Sequence, residues 1–119
     1  MNVAVIGASK KPERYSYRAI KLLGEKGHNV FPVHPALRNV DGVKVYRSLN
    51  DIKDYIDTIT FYVSAQNSDR ITDDILRTVP RRAIFNPGAE NASLAEKLKR
   101  INIEVLEACT LVLLKTNQF

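Results

Sequence analysis

Val3-Ala4-Val5-Ile6-Gly7-Ala8-Ser9 opens the chain, and Lys10-Lys11-Pro12-Glu13-Arg14 follows without a break. Four consecutive apolar residues with no polar alternation suit a strand covered on both faces, the environment of a parallel sheet. Gly7 lets the chain leave that strand sharply. Beyond the basic loop, Ala19, Ile20, Leu22 and Leu23 form a helical stripe stopped by Gly27. A buried strand, a short glycine turn and a helix make the opening unit of an alternating α/β chain.

The same alternation continues outward. Asn29 to Val33 reads as a second strand, with Pro32 predicting that pairing ends near it. Val43 to Tyr46 reads as a short third strand, followed by a brief helix opened by Ser48, and Thr58 to Val63 is a strongly β-prone fourth. Ile71, Ile75, Leu76 and Val79 mark a helix that stops before Pro80, and Arg82 to Asn86 is a fifth strand. Ser93 and Glu96 have capping-box spacing for a helix with Leu94, Leu98 and Ile101 turned inward. Ile103 to Leu106 makes a sixth strand, and Leu111 to Leu114 a closing element of open type. The expectation is α/β, a single domain over residues 1–119, with a doubly wound parallel sheet between two helical layers and strand order 3-2-1-4-5-6.

At 119 residues, 45% hydrophobic and 26% charged, the chain holds one ordinary hydrophobic core. One cysteine excludes a disulfide framework. No apolar run exceeds four residues and no basic leader precedes Val3, so neither a membrane span nor export is expected, and a cytoplasmic location is. The net charge of +5 is uneven: residues 1–47 carry nine Lys/Arg against three Asp/Glu, and residues 48–119 carry nine against ten. An anionic partner is therefore sought in the first two-fifths, unless the charge is only a solvated face. No Lys/Arg-rich helix face, zinc-knuckle spacing or aromatic platform argues for nucleic acid.

In a doubly wound sheet, ligands lie at the carboxyl ends of the strands. Four loops qualify: 7–14, 33–38, 63–67 and 86–91. In the first, a dinucleotide fingerprint would need Gly at positions 7, 9 and 12, where the chain has Gly7, Ser9 and Pro12. Ser9 offers a hydroxyl to a phosphate, with Lys10, Lys11 and Arg14 supplying charge; equally, Gly7 makes the turn and Ser9 caps the helix. An NAD site places a carboxylate at the end of strand 2. Here Val33-His34-Pro35 stands there and no carboxylate comes before Asp41, which suits a phosphorylated ribose, with His34 and Arg38 beside it. Asn86-Pro87-Gly88 forms a turn. The neighbours of Cys109 supply no base, so it reads as a buried structural thiol, or else as one lying near a ligand thiol. Glu90 has no partner that would make it an acid or base, and no metal-ligand, Ser/His/Asp or Cys/His spacing is present.

Taken together, Gly7-Ala8-Ser9-Lys10-Lys11-Pro12-Glu13-Arg14, Pro32-Val33-His34-Pro35, Asn86-Pro87-Gly88 and Cys109 resemble the CoA-binding domain family, which is similar to the amino-terminal domain of succinyl-CoA synthetase alpha subunits. The resemblance implies a Rossmann-like fold holding coenzyme A, with Gly7, Ala8 and Ser9 at the phosphates and Lys10 and Arg14 supplying charge. It further implies Val33, His34 and Pro35 beside the adenosine, and Val63 and Ser64 along the pantetheine arm. With Asn86, Pro87 and Gly88 these residues complete the expected site. The family commonly carries Asn where His34 stands, and the two histidines, His28 and His34, match no phosphohistidine motif. The expected function is binding of CoA or an acyl-CoA without catalysis. An NADP-binding domain of an oxidoreductase, and an interaction module with a vestigial nucleotide site, are the alternatives. Self-association and a partner enzyme both stay open.

Overall fold

The computed structural model describes residues 1–119 and centres on β1 (Asn2–Ile6). β1 pairs in parallel with β2 (Asn29–Val33) on one side and β5 (Thr58–Phe61) on the other. β6 (Arg82–Phe85) and β7 (Glu104–Glu107) extend the sheet, giving the order β2-β1-β5-β6-β7. The unbroken apolar run of β1 has a simple cause. Val3 and Val5 pack on one face against Ile20 and Leu23 of α1 (Tyr15–Glu25) and Leu114 of α5 (Thr110–Lys115), while Ala4 and Ile6 face the other layer. That second layer holds α2 (Ala65–Asp69), α3 (Thr72–Thr78) and α4 (Ala92–Arg100), with Ile75, Leu94 and Leu98 on the sheet. No helix is long and apolar enough to cross a membrane.

Several expectations need correction. The third strand does not join the sheet. Asn39–Val40 (β3) and Val43–Lys44 (β4) form a separate hairpin through Asp41 (φ 49°) and Gly42 (φ 83°), the two left-handed residues that a tight hairpin turn requires. Tyr46 alone pairs with β2, opposite Val33. Lys21 of α1 holds the turn at Asp41 at 3.6 Å, and the Tyr17 hydroxyl donates to the same carboxylate. As Pro32 predicts, pairing with β1 ends close by, one residue on at Val33, whose carbonyl accepts from Gly7, whereas the Pro32 carbonyl faces outward to the Tyr46 amide at 2.8 Å. The N–H that proline lacks therefore belongs to the outer edge, where no β1 partner is lost.

The helix predicted around Ile71–Val79 is α3, ending before Pro80, with the short α2 as a separate element ahead of it; Val79, expected to face inward, is the exposed left-handed residue that ends α3. At α4 the cap is Asn91, not Ser93. The Asn91 Oδ1 accepts from the Leu94 amide at 3.0 Å, and Ile101 lies past the helix end, exposed. The closing element is helical, as α5.

Candidate functional site

Above the carboxyl ends of β2, β1, β5 and β6 lies an open cleft of about 870 Å³, lined by all four loops singled out from the sequence. Its position is the point where strand order reverses, with the chain passing from β1 to β2 on one side and then returning to β5 on the other.

The loop after β1 is anchored before it can be offered to a ligand. Gly7 has φ +92°, and a Cβ there would sit 2.8 Å from Val63 Cγ1 and 3.0 Å from the Tyr62 carbonyl oxygen. The Gly7 and Ala8 amides both donate to the Val33 carbonyl at 3.2 Å, so they are committed to β2 and not free for an anion. The Ser9 and Lys10 amides donate to nothing in the chain. Ser9 is not the cap of α1, which begins six residues later with Arg14 in the cap position. Its Oγ instead accepts from the Lys11 amide at 3.1 Å, leaving its proton for an external acceptor. Gly7, Ala8, Ser9 and Arg14 line the cleft; Lys10 does not, and its neighbour Lys11 does.

Val33, His34 and Pro35 form the wall at the end of β2. His34 Nδ1 accepts from the amides of Ala36 (2.9 Å) and Leu37 (3.1 Å). Arg38 belongs to the hairpin, where its carbonyl accepts from Val45, and it does not line the cleft. Arg47 takes that place. The His34 amide donates to the Tyr46 carbonyl at 2.9 Å, which brings the next residue, Arg47, to the cleft wall. The sequence reading, which makes Val43 to Tyr46 a third strand of the sheet, offers no reason to bring Arg47 to the cleft.

On the other side, Val63 and Ser64 line the cleft together with Asn67, at the end of the third loop, and Arg70, which lies beyond it and carried no sequence signal. Pro87 and Gly88 also line it, in the expected turn: the Ala89 amide donates to the Asn86 carbonyl at 2.8 Å, with Gly88 at φ +89°. Asn86 itself turns away into the protein. Its Nδ2 donates to Thr60 Oγ1 (2.7 Å) and the Phe61 carbonyl (2.9 Å), and its Oδ1 accepts from the Thr110 amide (2.8 Å). It ties β5, β6 and α5 together beneath the site. Asn91 does the same between α4 and α2, donating to Ser68 Oγ and Asp69 Oδ1, each at 2.8 Å. Glu90 accepts from the Gly88 amide at 3.0 Å, a turn-closing role. Cys109 is half-buried at the start of α5, away from the cleft lining.

Four cations line the cleft (Lys11, Arg14, Arg47 and Arg70), and none is in an ion pair. The carboxylate that lines it, Asp74, is engaged by Arg77 at 3.2 Å and Asn50 at 2.9 Å. The Tyr62 ring also contributes. Burial pushes its phenol up to about 12, against the opposing influence of the neighbouring Thr110 and Thr60 hydroxyls, and its buried oxygen has no hydrogen-bond partner. No cluster of His, Cys, Asp and Glu could hold a metal ion.

A parallel sheet wound both ways from β1, with its cleft at the switch point, defines a Rossmann-like domain. Within that class the chain belongs to the CoA binding domain family, whose model matches residues 1–115. The uncharacterized protein YneT of Bacillus subtilis is 29% identical over 76 residues, covering 64% of this chain and 56% of that protein. An ADP-forming acetate–CoA ligase of Methanocaldococcus jannaschii is 26% identical over 125 residues, covering 98% of this chain but 18% of the ligase. The chain thus spans about half the length of the first relative and under a fifth of the second. A crystal structure of an uncharacterized protein superposes with a TM-score of 0.89 at 34% identity, covering 99% of this chain and 97% of that one.

Proposed function

We propose that this protein binds coenzyme A or an acyl-CoA in the cleft and performs no chemistry on it. The observation that carries the reading is the set of unpaired cations on one side of the site: Lys11 and Arg14 on the β1 loop and Arg47 beside the end of β2. A pyrophosphate and a phosphorylated ribose supply matching charge, and no carboxylate stands at the end of β2 to repel the ribose phosphate. The pantetheine arm, which carries no charge, runs past Val63, Ser64, Pro87 and Gly88. The volume of the cleft lies within the range of small-molecule sites, about 300–1,000 Å³. Gly7, Ala8, Val33 and Pro35 shape the floor by backbone and apolar contact, while Ser9, Arg14 and His34 reach the polar groups. A single cysteine fits a reducing compartment, and we place the protein in the cytoplasm.

NADP answers the same charge argument; family membership favours CoA. Calorimetry with CoA, dephospho-CoA and NADPH separates them. CoA is expected to bind about tenfold or more tighter than dephospho-CoA, the loss of a charge-assisted contact. Equal affinities, or tighter NADPH binding, would overturn the assignment. Native mass spectrometry of the purified protein then identifies any acyl group retained.

A further inference from the structure

His34 presents two unlike edges. Its Nδ1 accepts two backbone amides, Ala36 at 2.9 Å and Leu37 at 3.1 Å, so that nitrogen carries a lone pair and no hydrogen. In a neutral imidazole the proton then resides on Nε2. The arrangement is the one an Asn or Asp side-chain oxygen makes when it closes a turn over its own following amides. Nε2 lies on the ring edge turned away from that turn, and His34 lines the cleft. A hydrogen placed on Nδ1 would point at two amide hydrogens and dismantle the bend over Pro35–Leu37. The fold therefore presents this ring as a donor and holds it there.

We propose that His34 reads the nucleotide as a single N–H donor directed from Nε2. Its Nε2–H contacts a lone pair at the ribose end of CoA, on a phosphate oxygen or a ring nitrogen of the base. The proposal rests on the CoA reading above. It divides labour in the site: Lys11, Arg14 and Arg47 supply charge from unpaired side chains, while His34 selects by hydrogen-bond direction. A ligand group offering an acceptor is taken, and one offering a donor is refused.

Two measurements test it. Long-range ¹H–¹⁵N spectra of the ligand-free wild-type protein at neutral pH report the tautomer without reference to any ligand. The Nε2–H form is expected, and an Nδ1–H form or an imidazolium would overturn the proposal. Calorimetric titration with CoA then compares wild type, His34→Asn and His34→Ala. Asn retains an oxygen for the Ala36 and Leu37 amides and an outward N–H, so its affinity is expected within about threefold of wild type. Ala retains neither and is expected to lose about tenfold. Equal losses in the two variants would refute the donor role. Repetition with dephospho-CoA locates the acceptor: the gap between variants closes if it is the 3′-phosphate and persists if it is the base. If wild type binds no CoA, the functional reading and the ligand half of this proposal fall together, while the tautomer result stands on its own.

Discussion

Replacing Gly7 by Ala tests the geometric basis of the site. Two costs combine there. At φ +92° an L-residue is strained by about 1–2 kcal/mol. The new Cβ also lands 2.8 Å from Val63 Cγ1 and 3.0 Å from the Tyr62 carbonyl oxygen. The valine methyl can yield, but the carbonyl belongs to the backbone just beyond β5, and forcing it outward adds about 1–3 kcal/mol, as overpacking does. The expected destabilisation is about 3 kcal/mol, a fall in Tm of roughly 10–15 °C for a domain of this size. Gly27→Ala is the internal reference, since Gly27 has φ +86° and nothing within 4 Å of its added Cβ. It should show the backbone strain alone. Urea and thermal unfolding of both variants give the difference, which measures the close approach of the β1 and β5 ends. If Gly7→Ala unfolds no more readily than Gly27→Ala, the claim that this glycine permits that approach is wrong.

Asn86→Ala removes three buried hydrogen bonds and strands the Thr110 amide, so it should cost about 2–4 kcal/mol in denaturant unfolding; a loss below about 1 kcal/mol would contradict a clasp role. Lys11→Ala and Arg47→Ala should each weaken CoA binding by about fivefold to twentyfold in dilute buffer and less in high salt, while Lys10→Ala changes it by less than about threefold. The reverse ranking of Lys10 and Lys11 in calorimetry would reject the placement of the loop. Burial works against ionisation of Asp57, but hydrogen bonds from Arg81 (3.1 Å) and Thr58 (2.6 Å) hold its carboxyl below the ordinary 3.8. A group so depressed contributes stability above its unfolded value and loses it as pH falls through the folded one. Wild type should therefore lose more stability than Asp57→Asn as pH falls below about 4, and parallel acid unfolding curves would rule this out.

Much of the architecture was legible because β1 and β5 carry their environment in their composition. Val3–Ile6 is apolar at every position, as a strand covered on both faces favours, and β5 is β-prone throughout, its buried Thr58 and Thr60 hydroxyls being hydrogen-bonded. What could not be read was competition between neighbours. Val43–Tyr46 has strand propensity, yet Asp41-Gly42 favours a two-residue turn, and local hairpin closure wins over pairing with β2. Ser93 and Glu96 have the spacing of a capping box, but Asn91 also bonds across to α2, a tertiary reward invisible in local sequence. Within the site, the β1 loop and the His34 segment were readable as loops at strand ends. Which of Lys10 and Lys11 turns inward depends on the conformation around Ser9, and Arg47 and Arg70 are brought in by the hairpin and by the break between α2 and α3. Asn86 was assigned to the ligand on resemblance, whereas its side chain is spent on Thr60, Phe61 and Thr110.

The hairpin also makes the two flanks of the molecule unequal. Beside β2, proline removes an outward donor and Tyr46 occupies the neighbouring carbonyl, so that flank is closed to a further ribbon of backbone. Beside β7 nothing plays that part, and the unpaired border there is bracketed by Glu104 and Glu107. Any chain that lengthens this sheet must do so at the acidic border, on the far side from His34 and Arg47, so growth of the sheet and access to the nucleotide end of the cleft do not compete for the same margin.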